Sequence, residues 1–161
     1  MLFRSSMMIC HGWYPCFEPQ KLAASLSRRI VTDLLRDEMG FEGLIMTDDL
    51  DMGAISSEYD FEDTIRGAVG AGNDLVMICH RTSAIGEALG LLEQLPPNQL
   101  DRALRKVDQF KANLAPPESF SESAFSALNN EIWDLRVATL GEGPARQRSA
   151  EDGKRSPVEI Y

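Results

Sequence analysis

Short unbroken apolar runs, each ending in a polar residue, recur along the first half of the chain. Met7-Met8-Ile9-Cys10-His11 is echoed by Val76-Met77-Ile78-Cys79-His80, and Leu44-Ile45-Met46-Thr47-Asp48 lies between them with the same design. Continuous apolar runs of this length suit parallel strands covered on both faces, so three strands are predicted. Between the first two, Leu26, Ile30, Leu34 and Leu35 fall at helical spacing, with Ser25 or Ser27 as N-cap and Gly40 as the stop. Between the second and third, Ile65, Ala68 and Val69 give a second helix, with Asp60 placed to cap it and Gly70 or Gly72 to end it. Strand, helix, strand, helix, strand with right-handed crossovers makes a parallel α/β sheet.

Beyond the third run the pattern turns helical. Residues 83–95 and 98–114 read as helices separated by Pro96-Pro97, and Leu100, Leu104, Val107 and Phe110 form an apolar stripe on the second. After Pro116-Pro117 a further helix is predicted over 121–140, with Phe125, Leu128, Ile132, Trp133 and Leu135 as its apolar set and Ser121 in a loose capping arrangement. From Gly141 the chain is polar and rich in Gly, Ser, Arg and Pro, which predicts a disordered tail.

Composition narrows the classes of function. The 161 residues, 43% hydrophobic and 25% charged, suffice for one sizeable core. A net charge of −9 with no basic cluster argues against a nucleic-acid partner. Three cysteines without CxxC spacing indicate neither a zinc site nor a disulfide framework, and a reducing cytoplasm is the plain reading. The N-terminal apolar stretch is too short and interrupted for a signal peptide, and no window is long enough for a membrane span.

Polar residues at the C-terminal ends of parallel strands converge on one rim, which puts His11, the Asp48/Asp49 pair and His80 together. Each has a plain structural alternative. Asp49 or Asp51 can cap the turn after Leu50, and either histidine can bond backbone carbonyls at a strand end. Met46 and Met52 can be core filler. Asp48, Asp49 and Asp51 also offer hard oxygen ligands for a divalent cation, but the glycine spacing of a calcium loop is absent; no metal or cofactor is predicted.

GFEGLIMTDDLDMGAI, residues 40–55, closely resembles the nucleophile segment of family 3 glycoside hydrolases of the bacterial β-N-acetylhexosaminidase type. MMICHGWYPCFEP resembles the preceding strand and loop of that family. SLSRRIVTDLLRDEMGFEG resembles the helix leading into the nucleophile strand, and AVGAGNDLVMICH the last barrel strand. The resemblance implies a partial TIM barrel, the last three βα units over 1–115, with a helical extension over 116–140 and the tail over 141–161. It implies a retaining hydrolase that removes terminal β-linked N-acetylglucosamine, with Asp48 as nucleophile and Asp49 as its structural support. His11 and Met52 match positions near the sugar pocket.

The family's general acid/base loop and most of its sugar-gripping residues have no counterpart in this chain, so the resemblance implies a fragment acting in cell-wall recycling or chitin-type metabolism. A second reading is an inactive remnant that serves as an interaction module, paired with a complementary barrel fragment or with itself.

Overall fold

The computed structural model describes residues 5–147. The chain divides into two compact units, which among the described residues are 5–114 and 115–147.

The first unit is built on a parallel sheet of three strands, β1 (Ser6–Ile9), β2 (Leu44–Asp49) and β3 (Leu75–Met77), in the order β1-β2-β3. Ser6 to Ile9 pair in step with Leu44 to Thr47, whereas the β2–β3 register shifts between Met46 and Asp49. At the shift the Thr47 hydroxyl accepts from Met77 N at 3.0 Å, so a side chain satisfies an amide of the interrupted ladder.

β3 ends earlier than the apolar run to His80 predicts. The amides of Cys79 and His80 donate to the carboxylates of Asp49 and Asp51, and therefore leave the ladder.

From Ile45 onward burial alternates along β2. Ile45, Thr47 and Asp49 are buried, while Met46 and Asp48, on the face that Leu44 begins, are half-buried beside exposed Met8 and Leu75. The expectation of strands covered on both faces therefore holds for one face only in this unit. Helices cover the Ile45 face. The opposite one carries Met8, Met46 and Leu75.

The first crossover differs from its predicted register. Leu26 belongs to a 3-10 turn, Ala24–Leu26, and the helix that follows, Arg29–Glu38, is wound as a π-helix, with Met39 N bonding Leu34 O five residues back. The wider winding buries Val31, Thr32 and Leu35, leaving Ile30 and Leu34 at the margin. The N-cap position falls on Arg28 rather than on either serine, although Ser27 Oγ accepts from Ile30 N at 3.3 Å in the first turn; Ser25 is committed to His11. Gly40 ends the segment at φ 65°, a left-handed turn favoured by glycine.

α1 (Gly53–Ser56) is a single turn after β2, and α2 (Phe61–Ala71) is the second crossover. Asp60 is the N-cap of α2 through its backbone carbonyl, which receives Thr64 N and Thr64 Oγ1. Gly72, at φ 116°, closes the helix. Val31, Leu35, Phe41 and Ile45 pack with Ile9 in one cluster; Leu26, Ile55 and Ala68 form a second; Leu50, Ile65 and Ala88 form a third. Together they seat the covered sheet face on the π-helix, α2 and α3 (Ile85–Glu93). α4 (Pro97–Ala112) follows with proline at its first position, where the missing amide costs no bond.

In the second unit, α5 (Glu122–Leu140) is capped by Ser121, whose hydroxyl accepts from Ala124 N at 3.2 Å, as predicted. The start of the expected disordered tail is instead folded. Glu142–Ala145 forms a turn, α6, because Gly141 at φ 82° reverses the chain and Arg136 donates to Ala145 O and Gln147 O. Residues 148–161 of that predicted tail lie outside the described residues. Among the described residues no helix is long and apolar enough to cross a membrane.

Candidate active site

At the C-terminal ends of the three strands, β1 delivers His11, β2 delivers Asp48, Asp49 and Asp51, and β3 delivers Cys79, His80 and Arg81. Strand ends fix these side chains better than free loops would. Asp48 continues the half-buried, Met46 side of β2. Its Oδ1 accepts from Asp49 N at 2.8 Å, a bond that holds one carboxylate oxygen.

Asp49 points the other way and is buried. Its Oδ1 accepts from Asp51 N and Cys79 N, each at 3.0 Å, and its Oδ2 from His80 Nδ1 at 2.9 Å. The Asp49 carbonyl receives Met52 N at 3.1 Å and His11 Nε2 at 2.9 Å. A carbonyl only accepts, so Nε2 of His11 carries a proton, and Nδ1 shares a second hydrogen bond with Ser25 Oγ at 2.8 Å. His11 is thus a brace with both ring nitrogens spent, and Met52 joins through its backbone as the N-cap of α1.

Asp51 supplies a further clasp that the residue pattern did not single out. Its side chain is fully buried; Oδ2 accepts from His80 N at 3.1 Å and Arg81 N at 2.7 Å, and Oδ1 from Arg81 Nε at 2.7 Å. Burial pushes the Asp51 carboxyl up, but the bonds from Arg81 and His80 outweigh it and hold the group below its ordinary value. Arg81, half-exposed, also lies over the Phe61 ring at 5.0 Å. A basic residue one step past His80 and a third acid at Asp51 were the available signals. Their pairing needed the β2–β3 neighbourhood. Desolvation of the Cys79 thiol, followed by the charge of Asp49, pushes its pKa up, although the residue as a whole is exposed.

Asp49 does cap the turn at Leu50, where its Oδ1 accepts from Asp51 N, but neither acid caps α1, which has no side-chain cap; Asp49 and Asp51 also tie the exit of β2 to that of β3. One atom each from Asp49, Asp51 and His80 lies within 4.8 Å of the others, a spacing open to a cation. All four carboxylate oxygens already accept hydrogen bonds, and the Arg81 guanidinium occupies the position of the positive charge. This donor set fits an ion-pair clasp rather than a metal. The cavity beside Arg81, about 150 Å³ and lined by Leu50, Tyr59, Phe61 and Thr64, does not include Asp48. A larger one of about 410 Å³ lies at the opposite end of β2, between Gly43 and Phe110, remote from the acids.

Residues 4–110 match the family model described as the glycosyl hydrolase family 3 N terminal domain. The chain belongs to glycosyl hydrolase family 3. It is similar to the beta-hexosaminidase of Bordetella parapertussis, 34% identical over 112 residues that cover 69% of this chain and 31% of that protein. Against the beta-hexosaminidase of Pseudomonas aeruginosa it is 35% identical over 100 residues, covering 60% and 30%. The chain thus spans about a third of the length of these curated relatives.

Among solved structures it resembles a family 3 beta-N-acetylglucosaminidase from Paenibacillus sp., with a TM-score of 0.66 and 30% identity, covering 73% of this chain and 24% of that one. The beta-N-acetylglucosaminidase of Thermotoga maritima gives 0.62 at 28% identity, covering 68% and 25%.

Proposed function

We propose that this chain supplies the nucleophile-bearing part of a retaining β-N-acetylhexosaminidase, with Asp48 as nucleophile. The observation that carries the reading is the division of labour at the end of β2. Asp49 is buried and fully bonded, whereas Asp48 sits on the Met46 face with Oδ1 fixed by Asp49 N and Oδ2 left to react. In the first step an Asp48 oxygen bonds to the anomeric carbon as the bond to the leaving oxygen breaks, and an acid protonates that oxygen. In the second, water displaces the aspartyl ester and restores the carboxylate, with net retention.

This chain carries the attacking group and its supports. Asp49 orients the turn, and His11, Ser25 and the backbone of Met52 hold the Asp49 carbonyl. On this reading the acid is supplied by residues other than those of this chain. A retaining enzyme deprived of its general acid is slower by roughly 10²–10⁴-fold.

The three parallel strands and their helices are read here as the last βα units of a TIM barrel, with the Met8–Met46–Leu75 face as barrel interior. The substrate class, a terminal N-acetylglucosaminide, rests on what the similar proteins are called. A cytoplasmic role in recycling cell-wall sugars is part of the same proposal, and three unpaired cysteines suit a reducing compartment.

The test mixes this chain with the N-terminal two-thirds of the Bordetella parapertussis relative and adds a 5-fluoro glycosyl inactivator of the N-acetylglucosamine series. Peptide mass spectrometry should find the label on Asp48. Label on another residue, or none in a mixture that turns over a chromogenic N-acetylglucosaminide, contradicts the assignment.

The interaction-module reading draws on a different observation. β1 and β3 are both sheet edges, and the face bearing Met8 and Leu75 is exposed. It predicts association by light scattering with no turnover in that mixture.

A further inference from the structure

α5 is a helix of 19 residues with none buried. Its apolar residues fall in two rows. Trp133 and Val137 lie on the side that α6 covers: Val137 is half-buried, Ala145 of α6 is buried, and Arg146 stacks on the Trp133 ring at 5.8 Å. The other row, Phe125, Leu128, Ile132 and Leu135, has spacings of three, four and three and is 53%, 55%, 55% and 68% exposed. Those are the a and d positions of two heptads, a seam that pairs one helix with another rather than a stripe that docks on a sheet.

The charges beside the seam select the occupant. With Phe125 and Ile132 at a and Leu128 and Leu135 at d, the flanking positions are Ala124, Asn129, Glu131, Arg136 and Ala138. In a parallel pair of identical helices, a g residue meets the e residue five positions on in the partner. Glu131 then faces Arg136, and symmetry makes the contact twice. In an antiparallel pair aligned on the same layers, Glu131 faces Glu131. Arg136 donates through Nε and Nη2 to the carbonyls of Ala145 and Gln147, which fixes its guanidinium beside the seam before any partner arrives.

We propose that two copies of this chain associate through α5 as a parallel helix pair, with Phe125, Leu128, Ile132 and Leu135 as the seam and Glu131–Arg136 as the registering ion pair. Two heptads make a short seam, so the dimer is a micromolar one that exchanges readily. The proposal is independent of the catalytic reading, since no residue of the β2 rim enters it.

Sedimentation equilibrium of the full chain through the micromolar range tests it. The wild type should pass from monomer to dimer with concentration, and Leu128→Glu or Ile132→Glu should stay monomeric with unchanged near-ultraviolet circular dichroism. Glu131→Arg alone and Arg136→Glu alone should each weaken the dimer about tenfold, from the loss of two pairs and the gain of two repulsions. The double exchange should recover most of that loss, although its α6 contacts are gone.

In a background with Cys10, Cys16 and Cys79 changed to serine, Ile132→Cys should oxidise to a linked dimer, because parallel strands bring position 132 against itself. A chain that remains monomeric at every concentration, or a Leu128→Glu variant that dimerises as the wild type does, overturns the proposal. So does a linked dimer that forms only when Leu128→Cys is mixed with Ile132→Cys, which marks antiparallel pairing.

Discussion

Replacing Asp51 by asparagine tests whether the clasp between β2 and β3 is electrostatic or merely steric. The asparagine oxygen can still accept from the amides of His80 and Arg81, but its NH₂ group would meet Arg81 Nε, donor against donor. A hydrogen bond to a charged group contributes about 1.5–3 kcal/mol, and a buried donor without a partner costs about 1–3 kcal/mol. Arg81 is half-exposed and regains water, which discounts the sum to about 2–3 kcal/mol. For a unit of this size that lowers the melting temperature by about 10 °C.

The sign with pH follows from the direction of the shift. Asp51 has a folded-state pKa below its ordinary 3.8, so its contribution is complete above that value and is lost as pH falls through the folded value. The gap between wild type and Asp51→Asn should therefore be full at pH 7 and should close below about pH 4. Urea unfolding in a Trp133→Phe background, with Trp13 as the reporter of the first unit, measures it. Equal stability at pH 7, or a deficit undiminished in acid, would refute the electrostatic account.

Gly72→Ala should destabilise the first unit by about 2–5 kcal/mol in urea unfolding, since a Cβ at φ 116° is strained and would overlap Thr32 Oγ1. Ile45→Ala, at the fully buried centre of β2, should cost about 2–5 kcal/mol in the same assay. The Cys79 thiol, pushed up by burial and by Asp49, should react with a disulfide reagent at pH 8 more slowly than a free-thiol peptide, and Asp49→Asn should speed it up; peptide mapping of the labelled sites reads both. Asp48→Asn should leave the free energy of unfolding within about 0.5 kcal/mol of wild type while abolishing labelling by the fluoro sugar, because its side chain supports little else.

The apolar runs were sufficient for three parallel strands, since a strand hidden under helices needs hydrophobic side chains whatever its neighbours are. The helix-stopping glycines were legible for a similarly local reason: only glycine adopts positive φ freely at Gly40 and Gly72. Asp48 was legible as the acid at a strand's end, in a segment resembling a known family.

What the linear pattern could not hold was the division between neighbours. Asp48 and Asp49 are adjacent and chemically identical, and only the pleat sends one to the half-buried side and the other into a network with Cys79, His80 and His11. The Asp51–Arg81 pair spans 30 residues of sequence and exists because β2 and β3 are neighbours. The shortened β3 and the π-helical winding of Arg29–Glu38 are likewise tertiary outcomes. In the first, two carboxylates compete with the ladder for backbone amides. Periodicity records which side chains avoid water, whereas hydrogen-bond partners are chosen by whatever the folded chain brings within reach.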